Sequence, residues 1–349
     1  MSTTCAPVFI TTLNREKHLK RLIASLKNNP LAGRTDVYVG LDYPPSEKYR
    51  EGYEEVLAYL EEGDFSDFRS FNVIKREENF GPVRNSDDLK RLAGERYDRW
   101  IMTEDDNEFS PCFLKYINDG LEMCEKDPSL YAVCGYSYPV KWGEDPGNTV
   151  TLDGMFASYG YGILKKNYDS FMSEMTLDAW KKAMKDRRLL GKMESINRLN
   201  FNDFVSGVMN YSPYLLAADG FHFRQSDMSQ GMYLMLSGKH ILMPKVSMVR
   251  NWGFDGSGVN CGGSSERNEF SEMEIGASPD FDIRLMETED SHREDQRAVD
   301  RYFRVKDETL KNAWRMRTLY RILGSRERYH GLGRFLRRFR GGKNTEHDE

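Results

Sequence analysis

The sequence lacks any run of eighteen or more uncharged apolar residues, the minimum for a membrane-spanning helix. Its N-terminus, MSTTCAPVFITTLNRE, has no basic stretch followed by an apolar segment, so neither transmembrane anchoring nor signal-directed export is expected. Cysteine is scarce. The five residues Cys5, Cys112, Cys124, Cys134 and Cys261 are odd in number, widely spaced and form no C-x-x-C pair. That argues against a disulfide framework and a structural zinc site, and fits reduced, mostly buried thiols in a cytoplasmic protein. No internal repeat or low-complexity tract is present.

What is present is the composition of an ordinary folded protein: 349 residues, 39% hydrophobic and 30% charged, enough chain for a sizeable core. The net charge of -5 hides an asymmetry, because Lys311 to Lys343 holds eleven Lys/Arg against one Glu. The body is therefore acidic and the tail basic, and the two are expected to meet different partners.

Short β-branched or aromatic runs at 7–12, 36–42, 71–75, 99–103 and 131–135 alternate with helix-period segments, the pattern of βαβ units around a mainly parallel sheet. Leu19, Leu22, Ile23 and Leu26 recur at helical spacing after Asn14, a candidate N-cap. Ser110-Pro111 offers a cap and first-turn proline before Phe113, Ile117 and Leu121, which places the acidic triplet Glu104-Asp105-Asp106 in a strand-to-helix loop. Ligands of open parallel sheets sit at the carboxyl ends of the strands, which directs attention to Thr12 to Arg15, Asp42 to Pro45 and Glu104 to Asn107.

Three consecutive carboxylates repel one another unless a cation is present. Mg²⁺ and Mn²⁺ bind carboxylate oxygens and complete their shell with water and phosphate, as a sugar-nucleotide diphosphate requires. The other reading is that the acids open a helix, where the macrodipole favours them. In Asn79-Phe-Gly-Pro-Val-Arg84-Asn85, Gly81 permits close backbone approach and Arg84 offers a fork to phosphate, although a turn with a surface arginine explains the segment equally well. Asp227, ahead of an apolar helix-like run, is a candidate base for an acceptor hydroxyl or simply a helix cap.

TTLNR after the first strand, Asp42 after the second, N-x-G-x-x-R-N, and EDD followed by S-P-x-F-L-x-Y together resemble GT-A glycosyltransferases over roughly residues 5 to 262. The sequence is most similar to the branch of N-acetylglucosaminyltransferase I and to family-2-like bacterial enzymes of surface-polysaccharide assembly. The resemblance implies a GT-A α/β fold and an inverting transfer from a nucleotide-sugar, with UDP expected, in the presence of Mn²⁺ or Mg²⁺. It implies Asp106 as metal ligand, Glu104 and Asp105 toward ribose and donor sugar, Asp42 toward the base, and Arg15 near the nucleotide. Thr12, Gly81 and Arg84 join the donor set, Tyr161 and Gly162 in the Tyr159-Gly-Tyr-Gly162 segment wall the donor sugar, and Asp227 takes the place of the catalytic base. Relatives often carry histidine in the late glycine loop; this sequence has Asn260 there, a candidate neutral contact to the metal.

The expected organisation is a nucleotide-sugar half at 1–152, an acceptor half at 153–265, an acidic loop or lid at 266–300 and a basic amphipathic tail at 301–349. In the tail Leu332, Phe335, Leu336 and Phe339 keep helical spacing between arginines, as in a helix lying on an anionic membrane. A lipid-linked or glycan acceptor at the inner face of the cytoplasmic membrane is expected, and no specific nucleic acid. Two alternatives stand beside this reading. A sugar nucleotidyltransferase shares the sheet and metal but normally carries a G-x-G-T-R-L-type loop where this chain has TTLNRE; a catalytically degenerate membrane-associated scaffold would not need intact EDD and Asp227.

Overall fold

The computed structural model describes residues 5–176, 227–258 and 268–306 apart from Ala277 and Glu287, with isolated positions elsewhere. Asn260, Cys261 and nearly all of the basic tail lie outside the described residues.

The chain forms an α/β fold on an eight-stranded, mostly parallel sheet. Strands β1 (Val8–Thr12), β2 (Asp36–Leu41), β3 (Ser70–Lys75) and β4 (Arg99–Glu104) are linked by helices α1 (Glu16–Lys27), α2 (Arg50–Glu62) and α3 (Gly81–Arg96). β1 pairs in parallel with β2 on one side and β4 on the other, and β3 adds in parallel outside β2. The runs VFITT and DVYVGL are apolar nearly throughout because helices and neighbouring strands leave no face of them to water. α1 buries the expected Leu19, Leu22, Ile23 and Leu26. Arg15, not Asn14, is its N-cap residue and makes no capping bond, since a guanidinium has no acceptor to offer the helix amides; it pairs instead with the acidic triplet.

Beyond β4 the order continues through β8 (Tyr161–Leu164), β6 (Leu130–Cys134), β9 (His240–Pro244) and β7 (Thr149–Asp153). β8 is antiparallel to both β4 and β6, so the fifth sequence-expected strand does not adjoin the fourth. α4 (Phe113–Lys126) packs on β6 and β8, α5 (Lys165–Glu174) on β8, and α6 (Asp227–Ser237) on β7. Cys112, Cys124 and Cys134 are buried thiols within this core.

Two segments differ from expectation. The acidic triplet does not lead straight into a helix: Asn107–Phe109 forms strand β5, antiparallel to β10 (Val249–Asn251), because Arg250 pairs with Glu108 at 3.3 Å and Phe109 stacks on Phe113. The segment expected as an acidic loop or lid ends in helix α7 (Glu289–Lys306), which crosses the expected boundary at 300 and packs on β7. Its Asp295, Ala298 and Val299 are buried while Arg293, Glu294, Arg297 and Arg301 are exposed, so the high charge masked an amphipathic helix. No helix among the described residues is long and apolar enough to cross a membrane.

Candidate active site

From β1 the chain steps outward to β2 and β3, then returns to β4 on the opposite side of β1. That reversal opens a crevice between the carboxyl ends of β1 and β4, the place where open α/β sheets bind ligands. A cleft of about 210 Å³ lies there, lined by Thr12 to Arg15, Asp42, the start of α3, Glu104 to Asp106 and the loop after β10.

Across the crevice, Thr12 donates from Oγ1 to Asp105 Oδ2 at 2.7 Å. The Arg15 guanidinium spans the triplet, pairing with Asp105 and lying 3.0 Å from Asp106 Oδ2. Burial works against the charge on Arg15, but Asp105 and Asp106 outweigh it and hold the guanidinium firmly protonated. Asp106 is pushed up from the ordinary carboxylate range by burial, against the pull of Arg15. Glu104 opens into the cleft; surrounding protein, then the charges of Asp106 and Asp105, push its carboxyl up to about 8.

The small β5–β10 sheet supplies the far wall. Asn251 donates from Nδ2 to Asp106 Oδ1 and to Asn107 Oδ1, both at 2.9 Å, and the Trp252 amide donates to the Asp106 carbonyl at 2.8 Å. Gly253 then passes so close to the Asp106 carboxylate that a Cβ there would collide with it. Arg21 stacks on the Trp252 ring at 3.8 Å, and His18 Nε2 lies 3.2 Å from Asp255 Oδ2, so α1 holds this loop over the carboxylates.

On the other wall, Asp42 Oδ1 accepts from the amides of Tyr43 at 2.9 Å and Phe80 at 2.8 Å, which joins the end of β2 to the start of α3. Gly81 opens α3 with φ of +71°, and Gly81, Pro82 and Asn85 bring the helix N-terminus to the cleft.

Thr12, Arg15, Asp42, Gly81, Glu104, Asp105 and Asp106 are thus brought together. Arg84 is not: it is 54% exposed, pairs with Glu78 at 2.9 Å and stacks on Phe80 at 3.6 Å. Tyr161 and Gly162 do not line the cleft either. Tyr161 packs edge-on against Phe156 at 4.9 Å, and Gly162 lies so tightly under Ile117 and Leu121 of α4 that an added Cβ would clash. Gly162→Ala is therefore expected to cost about 1–3 kcal/mol of stability through overpacking, measured by chemical denaturation, with donor affinity retained; lost affinity in a fully stable variant would return Gly162 to the donor wall.

Asp227 stands in the first turn of α6 and accepts from Ser158 Oγ at 3.1 Å. Burial pushes its carboxyl up to about 6, against the Ser158 hydrogen bonds and the positive charge of Lys90. Asp227 is not among the residues that line the cleft. Asn251 is not legible from local pattern because it reaches Asp106 only through pairing between distant segments.

No protein-family model matches the sequence, and neither does any curated protein. Among solved structures, the chain is similar to the mannosyltransferase PcManGT from Pyrobaculum calidifontis, in complex with GDP-Man and Mn²⁺, at 11% identity and TM-score 0.38, over 68% of this chain and 74% of that one. It is also similar to S. aureus TarS 1-349 in complex with UDP-GlcNAc, at 17% identity and TM-score 0.32, over 48% of each chain. The chain spans 30% of the longer TarS structure, at 16% identity. Likeness at this level leaves the chemistry to be argued from the site's own residues.

Proposed function

We propose that this chain is an inverting glycosyltransferase that moves a sugar from a nucleotide-diphosphate donor, UDP in the first instance, to a hydroxyl of a glycan or lipid-linked saccharide. The observation that carries this reading is the convergence of Thr12, Arg15, Asp42 and the Glu104 to Asp106 triplet on one crevice at the carboxyl ends of β1, β2 and β4.

The crevice presents opposite charges side by side, as a donor diphosphate beside a divalent cation requires. Arg15 and the N-terminus of α3 offer a guanidinium and the positive end of a helix to phosphate oxygens. Asp42 and the end of β2 lie at the side assigned to the base, and Glu104 and Asp105 at the side assigned to ribose and sugar.

The donor atoms suit Mn²⁺ or Mg²⁺. They are carboxylate oxygens, and among the described residues no three acidic, histidine or cysteine groups converge into a cage. One or two carboxylates, with water and diphosphate completing the shell, is the usual arrangement for Mg²⁺. Asp106 is the assigned ligand; its Oδ2 is shared with Arg15 and its Oδ1 is oriented by Asn251. A cation bound there would supply Lewis-acid stabilisation of the departing diphosphate.

Asp227 takes the proton of the acceptor hydroxyl as that oxygen attacks the anomeric carbon from the face opposite the leaving group. The acceptor side is assigned to 153–265, and the basic tail to contact with an anionic membrane surface that presents a lipid-linked acceptor.

The test is calorimetric binding and hydrolysis of UDP-, GDP-, dTDP- and CMP-sugars with and without Mn²⁺, comparing the native chain with Asp106→Ala. One donor class is expected to engage only with metal, and to be lost in the variant. No engagement of any donor by the folded native chain would sink the transferase reading and favour a scaffold.

A further inference from the structure

The order β3, β2, β1, β4 gives the cleft two ends. Arg15 and the Glu104 to Asp106 triplet stand at the β1 and β4 end, while Asp42, Pro45, Tyr49 and Asn79 line the other, past β2 and β3. The second end differs in chemistry. Among the described residues that line the cleft, Tyr49 is the aromatic one, and with Pro45 it offers apolar surface beside polar groups, which suits a nucleobase. Which base fits is decided by the hydrogen-bond pattern that faces it.

Most polar side chains at this end are already engaged. Asp42 Oδ1 accepts from the amides of Tyr43 and Phe80, and its Oδ2 accepts from Asn79 Nδ2 at 3.3 Å. Asn85 donates to the Gly40 carbonyl at 2.9 Å and accepts from Arg76 Nε at 3.0 Å. Asn79 is engaged on one side only. Its Nδ2 donates to the Tyr43 carbonyl at 2.6 Å as well as to Asp42, and because both neighbours are acceptors the amide stands only one way round. Its Oδ1 accepts no hydrogen bond from the described residues, and the side chain is exposed at the cleft. Asn14 also lines the cleft, but no hydrogen bond among the described residues orients its amide, so it turns to match donor or acceptor alike.

Resting on the reading of the cleft as the site of a nucleoside-diphosphate donor, we propose that Asn79 is the specificity-determining residue for the base, its fixed Oδ1 accepting the N3–H of uracil. Asp42 is then a positioning residue, whose carboxylate holds Asn79 and joins the end of β2 to the start of α3. Uracil carries a hydrogen on N3, whereas cytosine turns a bare N3 lone pair to the same oxygen. The two rings are of the same size, so shape does not separate them.

The experiment is calorimetric titration of the full chain with UDP, CDP, GDP and ADP, each with Mn²⁺. It is run on the native protein, Asn79→Ala, and Asn79→Gln, which keeps the amide but displaces it by one methylene if the alanine variant fails to fold. The native chain is expected to prefer UDP over CDP about tenfold, the scale of one hydrogen bond, and the ratio is expected to fall toward one in either variant. A merely structural role for Asn79 would weaken both nucleotides equally and leave the ratio standing, which overturns the proposal. A native chain that binds CDP or a purine diphosphate at least as tightly as UDP overturns it too. No binding of any nucleoside diphosphate by the folded native chain overturns the donor-site reading itself. Binding without a preference that depends on Asn79 leaves that reading intact, so the two failures are told apart.

Discussion

Replacing Asp227 by asparagine is expected to lower the rate of sugar transfer roughly a hundred- to ten-thousand-fold, the range lost with a general base, while donor binding persists. Asparagine keeps the size of the side chain and can still accept from Ser158, but it cannot take the acceptor proton. Stability should move the other way. The folded Asp227 carboxyl stands at about 6, above the ~3.9 of an unperturbed aspartate. The folded protein thus binds that proton more tightly than the unfolded chain does, so the associated stabilisation is complete below about pH 4 and is lost as pH rises through about 6. Asparagine has no proton to lose. The variant is expected to be more stable than the native chain near neutral pH, with the difference closing toward pH 4, as read by denaturant titration at both ends. Sugar transfer by the native chain, on the proposed reading, should fall on the acid side with a midpoint near 6. NMR assignment of the product's anomeric configuration completes the test: retention of the donor's configuration would remove Asp227 from the base role, because an opposite-face attack inverts the center.

Arg15→Ala is expected to cost about 3–5 kcal/mol, the range for removing one partner of a buried ion pair. Arg15 is the cation that bridges Asp105 and Asp106, both buried, and its loss leaves two adjacent carboxylates facing one another. Arg15→Lys keeps the charge but cannot reach both acids with a planar fork, so an intermediate loss is expected. Denaturant unfolding measures the stability, and calorimetry of the donor identified for the native chain measures binding, which should weaken in both variants. An alanine variant as stable as the native protein would mean that the guanidinium and the two acids do not share the geometry described here.

Local pattern made much of the architecture legible. The run VFITT before a helix with Leu19, Leu22, Ile23 and Leu26 on one face, repeated as strand and helix through Trp100, reads directly as βαβ units, because both periodicities are written along the chain. The prominence of Thr12, Arg15, Asp42 and the triplet follows from the same pattern, since each stands just after a strand whose end could be located from sequence. Position after a strand says nothing about which way a side chain turns. Arg84, read as either a phosphate fork or a surface arginine, stands inside α3 and lies on Phe80 at the surface. Tyr161 and Gly162 match a glycine-aromatic segment, yet β8 runs antiparallel between β4 and β6, and that pairing carries both into the core.

The sequence by itself determined the βαβ half of the fold, the crevice end of its strands and the acids and arginine gathered there, because those depend on residues near one another in the chain. Only the tertiary structure decided which of them share a cleft. It inserted β8 beside β4 and drew β10 and Asn251 onto Asp106. Strand pairing, burial and Coulomb attraction act through space, and long separations along the chain leave no periodic trace in a single sequence.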